Sequence, residues 1–306
     1  MPSRRDRTGE TAINIEGYIM TIVKYVNSHN IDVQFDDAIG TIYKHKKLTD
    51  FYKGKISNPN KYVGLENTNT HGYKMKVLTG NTCNLTVEFE DGVIVNNIRK
   101  ENFDKGMVKN PCTKTVYNVG WIGIGKYKST DAHGKSTVAY SMWHKMLERC
   151  CSDKLKVKWP TYLECNVSDY FKCFQNFAQW YEDNIWCDEN LDIALDKDIL
   201  IKGNKLYSEN TCVIVTREIN NLFTSSAKRN RGPYPLGVSL HKGRFESSYR
   251  GKFIGCFNNP IEAFNAYKKF KESYIKRVAD EYKNKYPNFP QKLYDAMYNY
   301  QVEITD

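Results

Sequence analysis

The chain has 306 residues, enough for two or three domains, and its 41% hydrophobic and 26% charged content is that of a globular protein with a buried core. No run approaches the roughly 18 apolar residues of a membrane helix, and the basic start Met1–Arg7 leads into neither an apolar stretch nor a small-residue cleavage site, which argues against a signal peptide. The net charge of +10 is localised: residues 227–286 carry +9, residues 1–112 carry +3, residues 113–226 are neutral and the last twenty are −2.

The first third contains an internal duplication of about 50 residues. Gly17-Tyr18, Met20 and Ile22 recur as Gly72-Tyr73, Met75 and Val77. Ile31, Val33 and Phe35 with Asp37 and Ile39 recur as Leu85, Val87 and Phe89 with Asp91 and Val93. The endings Phe51–Gly54 and Asn58-Pro59 are answered by Phe103–Gly106 and Asn110-Pro111. Alternation such as Leu85-x-Val87-x-Phe89 predicts half-buried strands, and Glu90-Asp91-Gly92 predicts a hairpin turn. Four or five short strands per unit predict two small β-barrel repeats of the Tudor or KOW type, over residues 9–60 and 61–115. The units are not notably basic, so they are expected to contact protein or to space and oligomerise the chain.

From Ala139 the period changes. Trp143, Met146, Leu147 and Cys150 recur at helical spacing, as do Phe174, Phe177 and Trp180, which predicts two helices with buried faces. The nine cysteines include no CxxC pair, and Cys150-Cys151 are adjacent; they read as reduced thiols of a cytosolic protein, most of them small core residues. Next come Leu195–Leu200, Lys202–Cys212 and Val213–Val215. This arrangement resembles the HNH nuclease fold, in which a two-stranded hairpin leads into a helix around one metal ion. The resemblance implies an HNH-like domain over residues 116–226. Asn204 matches the family's hairpin asparagine and Asn210 its last, metal-binding position. Asp196, Asp198 and Asn204 would be the catalytic set, with Asp198 and Asn210 holding a divalent metal such as Mg if the core is active. The family's general-base histidine is replaced by Lys197, and an ordinary lysine is protonated at neutral pH and accepts no proton. The domain is therefore expected to be degenerate. The alternative for these residues is a salt-bridged hairpin with Lys197 between two carboxylates.

After an Arg- and Pro-containing linker, Arg229–Pro235, three strand-like runs follow, Leu236–Leu240, Arg244–Arg250 and Lys252–Phe257, and then a long helix from Pro260 with Asn258 or Asn259 as N-cap. A localised basic segment is the footprint of a nucleic-acid-binding module, while a solvated basic helix explains the charge equally well. The runs Gly237-Val238, Arg244-Phe245, Arg250, Phe253–Phe257 and Ile261–Tyr267 together resemble the APETALA-type (ERF-like) DNA-binding domain, the alternative being a basic sheet that contacts a protein or nothing. That resemblance implies a three-stranded sheet backed by one helix over residues 227–306, with the sheet in the major groove of double-stranded DNA. Strand alternation places Arg244, Glu246, Ser248 and Arg250 on the DNA face, with Lys242 and Lys252 at the strand ends and His241 beside them. Ser239 and Ser248 depart from the residues of plant members.

The order of these two modules, with Ala296–Tyr300 at the end, resembles bacteriophage proteins of the homing-endonuclease type. The fold class expected is α+β and multidomain. The function expected is that of a phage DNA-binding protein of homing-endonuclease ancestry in the cytoplasm of an infected bacterial host, without membrane association. One alternative is a phage anti-defence protein that inhibits a host immune nuclease complex, such as Gabija or CRISPR, through its repeats and homo-oligomerisation. A second is a transcription regulator.

Overall fold

The structure, a computed structural model, describes residues 5–224 and 233–306. The first part of the predicted linker and the predicted boundary between residues 226 and 227 lie outside these residues. The chain divides into two compact units, Met1–Pro111 and Cys112–Asp306, and its architecture is α+β. Among the described residues no helix is long and apolar enough to cross a membrane.

In the first unit the duplication is structural. Strands β1 (Thr11–Ile13), β2 (Ile19–Asn27), β3 (Asn30–Phe35) and β4 (Ile42–Lys46) form one antiparallel sheet in chain order, and the short helix α1 (Leu48–Tyr52) follows. The second repeat has β5 (Glu66–Thr68), β6 (Lys74–Asn81), β7 (Asn84–Phe89), β8 (Ile94–Ile98) and helix α2 (Lys100–Asp104) in the same order. Period-two alternation turns Ile31, Val33 and Phe35, and likewise Leu85, Val87 and Phe89, onto the inner face. There they meet Met20, Ile22 and Phe51, or Met75, Val77 and Phe103.

The predicted barrels are not closed. The residues after β4 and β8 wind into α1 and α2 rather than extending as a fifth strand, so no ladder joins the two ends of either sheet. One backbone bond bridges each gap instead, from Ile15 N–H to Gly54 C=O and from Thr70 N–H to Gly106 C=O, both 2.9 Å. The approach explains the two glycines: both have φ near +63°, and a Cβ would lie 2.8 Å from the carbonyl oxygen of Ile13 or Thr68.

The second unit opens with α3 (Val138–Cys151), α4 (Asp153–Lys158), strand β9 (Asn166–Val167), α5 (Asp169–Lys172) and α6 (Phe174–Asn184). Thr137 caps α3 by accepting from Tyr140 N–H at 3.2 Å. The predicted stripes are buried: Trp143, Met146 and Leu147 of α3 pack against Phe174, Phe177 and Trp180 of α6. Next come β10 (Ile193–Asp196), β11 (Leu206–Tyr207), which pairs in parallel with β9, β12 (Val213–Thr216) and α7 (Arg217–Phe223). β10 and β12 pair antiparallel, and α7 begins at the residue after β12, a ββα order. Leu195 and Ile214 face the α3/α6 core, while Ala194, Val213 and Val215 face a second core. A hairpin apolar on both faces is thus covered on both.

The last elements are β13 (Val238–His241), β14 (Arg244–Tyr249), β15 (Lys252–Phe257), α8 (Pro260–Lys285) and α9 (Gln291–Tyr298). Asn259 caps α8, its Oδ1 accepting from Ile261 and Glu262 N–H at 3.0 and 2.8 Å. The 26-residue helix serves two cores. Ala263, Phe264 and Tyr267 pack on the sheet, and Ile275, Val278 and Ala279 pack on the hairpin, α7 and α9.

Candidate nucleic-acid interface and the carboxylate hairpin

β10 ends at Asp196, and the side chain of that residue makes the turn that follows. Its Oδ1 accepts from the N–H groups of Asp198 and Ile199, both at 2.8 Å. Burial, together with the charge of Asp198, pushes the Asp196 carboxyl up to about 6. Lys197 is only 8% exposed. Its Nζ donates to the Asn204 carbonyl at 2.9 Å and to Asp198 Oδ2 at 3.1 Å. Asn204 fastens the other side of the loop. Its Nδ2 donates to the carbonyls of Lys197 and Leu206, both at 2.7 Å, and its Oδ1 accepts from Leu206 N–H at 3.2 Å.

These bonds bring Asp196, Lys197, Asp198 and Asn204 together. Asn210 lies apart from that network, exposed in the turn Ser208–Thr211, which is held by the hydroxyls of Ser208 and Thr211 at 2.8 Å. The donor set does not fit a divalent metal. Asp198 already shares its carboxylate with an ammonium that repels a cation, and one oxygen of Asp196 is engaged by two N–H groups. Among the described residues no three His, Cys, Asp or Glu side chains converge as metal donors. Chemically, the arrangement stiffens a hairpin.

The β13–β15 sheet has one face under α8 and one face open. Both of its turns, Lys242-Gly243 and Arg250-Gly251, have positive φ at both central residues, 47° and 79°, then 49° and 79°, as tight two-residue hairpins require. In the β13/β14 register His241 lies opposite Arg244, and Ser239 opposite Glu246. These four share the open face with Ser248, whereas Ser247 and Tyr249 are buried beneath. Arg244 reaches across to the Cys256 carbonyl at 3.3 Å.

Two of the expected DNA-facing residues point elsewhere. Arg250 is a turn residue rather than the end of a strand, and its guanidinium lies over the ring of Tyr274 on α8, 5.8 Å from the centroid. Lys252 sits over Phe270 of the same helix at 5.2 Å. The cause is a bulge in β15. Ser247 pairs with Gly255 but Ser248 pairs with Phe253, leaving Ile254 as the extra residue. The bulge reverses the alternation, sends Lys252 toward the helix and brings Phe253 to the open face, where it is 59% exposed. Phe253 is the open-face residue that strand alternation missed; Gly255 inside the strand is the signal that marks such a bulge.

The basic charge divides accordingly. Of the 14 Lys and Arg residues in 227–286, four lie in the sheet and its turns, seven on α8, and Lys228, Arg229 and Arg231 lie outside the described residues. Two of those on α8 are paired locally, Lys268 with Glu272 at 3.7 Å and Arg277 with Glu281 at 3.5 Å. No family model, no curated protein and no solved structure matches the chain.

Proposed function

We propose that the chain binds double-stranded DNA through the open face of the β13–β15 sheet, as a phage protein of homing-endonuclease ancestry working in the cytoplasm of its bacterial host, and that its ββα hairpin does not cleave. The observation that carries this reading is the uncovered sheet face, on which His241, Arg244, Ser248 and the exposed Phe253 stand together, with Lys242 in the adjoining turn. An arginine there suits bidentate reading of a guanine edge, and Lys242 suits a phosphate. The absence of cleavage follows from Lys197, whose ammonium fills the position of the base and is bound to Asp198.

The test mixes the purified chain with duplex DNA and magnesium or manganese at about 50 mM and 200 mM salt, scoring mobility and cleavage together. A shift that weakens steeply with salt, with the DNA intact, is expected. Arg244→Ala should weaken the shift by about 1–3 kcal/mol. Cleavage that disappears in Asp198→Ala would overturn the non-cleaving assignment. No shift at the lower salt would remove DNA as the partner and leave a host protein complex, captured from infected cells through the repeats, as the reading to pursue.

A further inference from the structure

Beside the hairpin loop lies a cavity of about 140 Å³ that the DNA reading does not use. The loop contributes Asp198, Lys202 and Gly203, α8 contributes Lys271, and the tail contributes Tyr300 and Asp306. Among the described residues, the charges on its wall are in direct ion pairs except for that of Lys271. Asp198 is paired with Lys197 at 3.1 Å, and Lys202 is paired with Asp306 at 2.8 Å and with Glu303 at 3.7 Å. Lys271 is 3% exposed and makes no ion pair or hydrogen bond among the described residues. Its Nζ stands 6.0 Å from the ring centroids of both Tyr267 and Tyr300. Burial, with the charge of Lys202, lowers its pKa against the opposing attraction of the Asp306 carboxylate on the same wall.

A buried ammonium with no carboxylate in ion-pair contact is costly, even with Asp306 acting on it from a distance, and lysines so placed are normally paired directly. At this position an apolar residue of the same length would pack with no such cost. The cavity in front of Lys271 is several times the roughly 30 Å³ share of one water, so it has room for a small polyatomic anion.

We infer that this cavity is a binding site for a phosphate-type tetrahedral oxyanion, with the Lys271 ammonium as its counter-charge and Lys202 as a second donor at the mouth. The inference stands independently of the DNA reading, because neither lysine lies on the open sheet face.

Inorganic phosphate is titrated into the full chain at constant ionic strength, with chloride as the balancing salt, and thermal unfolding is followed. The expected result is a saturable rise of the midpoint, roughly 5 °C at one hundred times the dissociation constant, with broadening of the phosphorus-31 resonance of phosphate at substoichiometric protein. General salting effects are separated by their linear, unsaturated concentration dependence. Lys271→Met, which keeps the apolar stem, should abolish both signals, and Lys202→Gln should weaken them. A midpoint and resonance that do not respond to phosphate in the parent chain would overturn the inference without recourse to a variant, as would an unchanged response in Lys271→Met. A 5′-phosphorylated oligonucleotide that competes with phosphate would assign the site to a nucleic-acid end; an oligonucleotide without effect would assign it to the free ion.

Discussion

At position 197 a lysine stands between two aspartates, and its ammonium is spent twice, on the carboxylate of Asp198 and on the carbonyl of Asn204. The same loop is fastened in the opposite sense by Asn204, whose amide spans Lys197 and Leu206. Loss of that amide leaves the Lys197 carbonyl without its donor, while the Leu206 carbonyl keeps the Thr211 hydroxyl at 2.7 Å, so Asn204→Ala should cost about 1–2 kcal/mol, read from the urea midpoint of the Cys112–Asp306 unit. Asn210→Ala, in an exposed turn, should stay within about 0.5 kcal/mol. Equal effects would mean that the amide network does not hold the loop. The pairing of the lysine with a neighbouring carboxylate, Asp198, was legible in the residues themselves, whereas the loop asparagine was singled out only by the resemblance to the HNH fold. The direction of Lys197 was not legible. β10 stops at Asp196, so the strand period that would have assigned faces to 197 and 198 ends before reaching them.

Where one strand follows another, the residue pattern specifies the buried face as far as the period of two holds. The two repeats show this well, because the alternating residues and the asparagines that fasten them are both duplicated. Asn14 donates to the Ile56 carbonyl at 3.0 Å and accepts from the N–H groups of Glu16 and Tyr18. Asn69 does the same with Val108 at 3.1 Å, His71 and Tyr73. Either asparagine changed to Ala should cost about 2–3 kcal/mol, and the two losses should agree within experimental error in chemical denaturation of the Met1–Pro111 unit; a clear inequality would show that the copies have diverged in how they are held. Closure into barrels was not legible, since it depended on whether five residues after β4 would extend or wind. In the sheet module the period broke at the β15 bulge, which reassigned Lys252 and Phe253 together. The fit of that sheet to α8 turns on Gly237. It has φ of +78°, and a Cβ would fall 1.9 Å from Cδ2 of the buried Tyr267. Gly237→Ala should therefore cost at least about 3 kcal/mol, whereas Gly243→Ala, with φ of +79° and open space around it, should cost about 1 kcal/mol. Denaturation of the Cys112–Asp306 unit tests the difference, and comparable losses would dismiss the close approach as its cause.

Charge bookkeeping along the chain located the basic segment but could not say how much of it the sheet would carry, because that depends on which residues a single long helix takes into its own surface and its two cores. α8 carries half of the segment's basic residues, and its C-terminal half belongs to the hairpin's core rather than to the sheet's. The sheet module is consequently not separable from what precedes it. Cutting the chain before Pro233 would remove Trp186, Val213, Val215, Ile219 and Leu222 from the core that they share with Ile275, Val278, Phe289, Leu293 and Met297. At about 1.5–3 kcal/mol for each of the larger side chains, that loss is on the order of 10 kcal/mol, comparable with the whole stability of a domain. Residues 112–306 form one compact unit and keep all of these contacts. The expected outcome is that a fragment of residues 112–306 gives the circular dichroism of a folded protein and shifts duplex DNA within about twofold of the full chain, a difference below roughly 0.4 kcal/mol. A fragment of residues 233–306 should be largely unfolded and inactive. If the longer fragment folds but binds no DNA while the full chain does, the interface includes the repeats and the open sheet face is insufficient. If the shorter fragment folds and binds alone, the C-terminal half of α8 needs no hairpin, and the dependence of the sheet on the ββα core is removed.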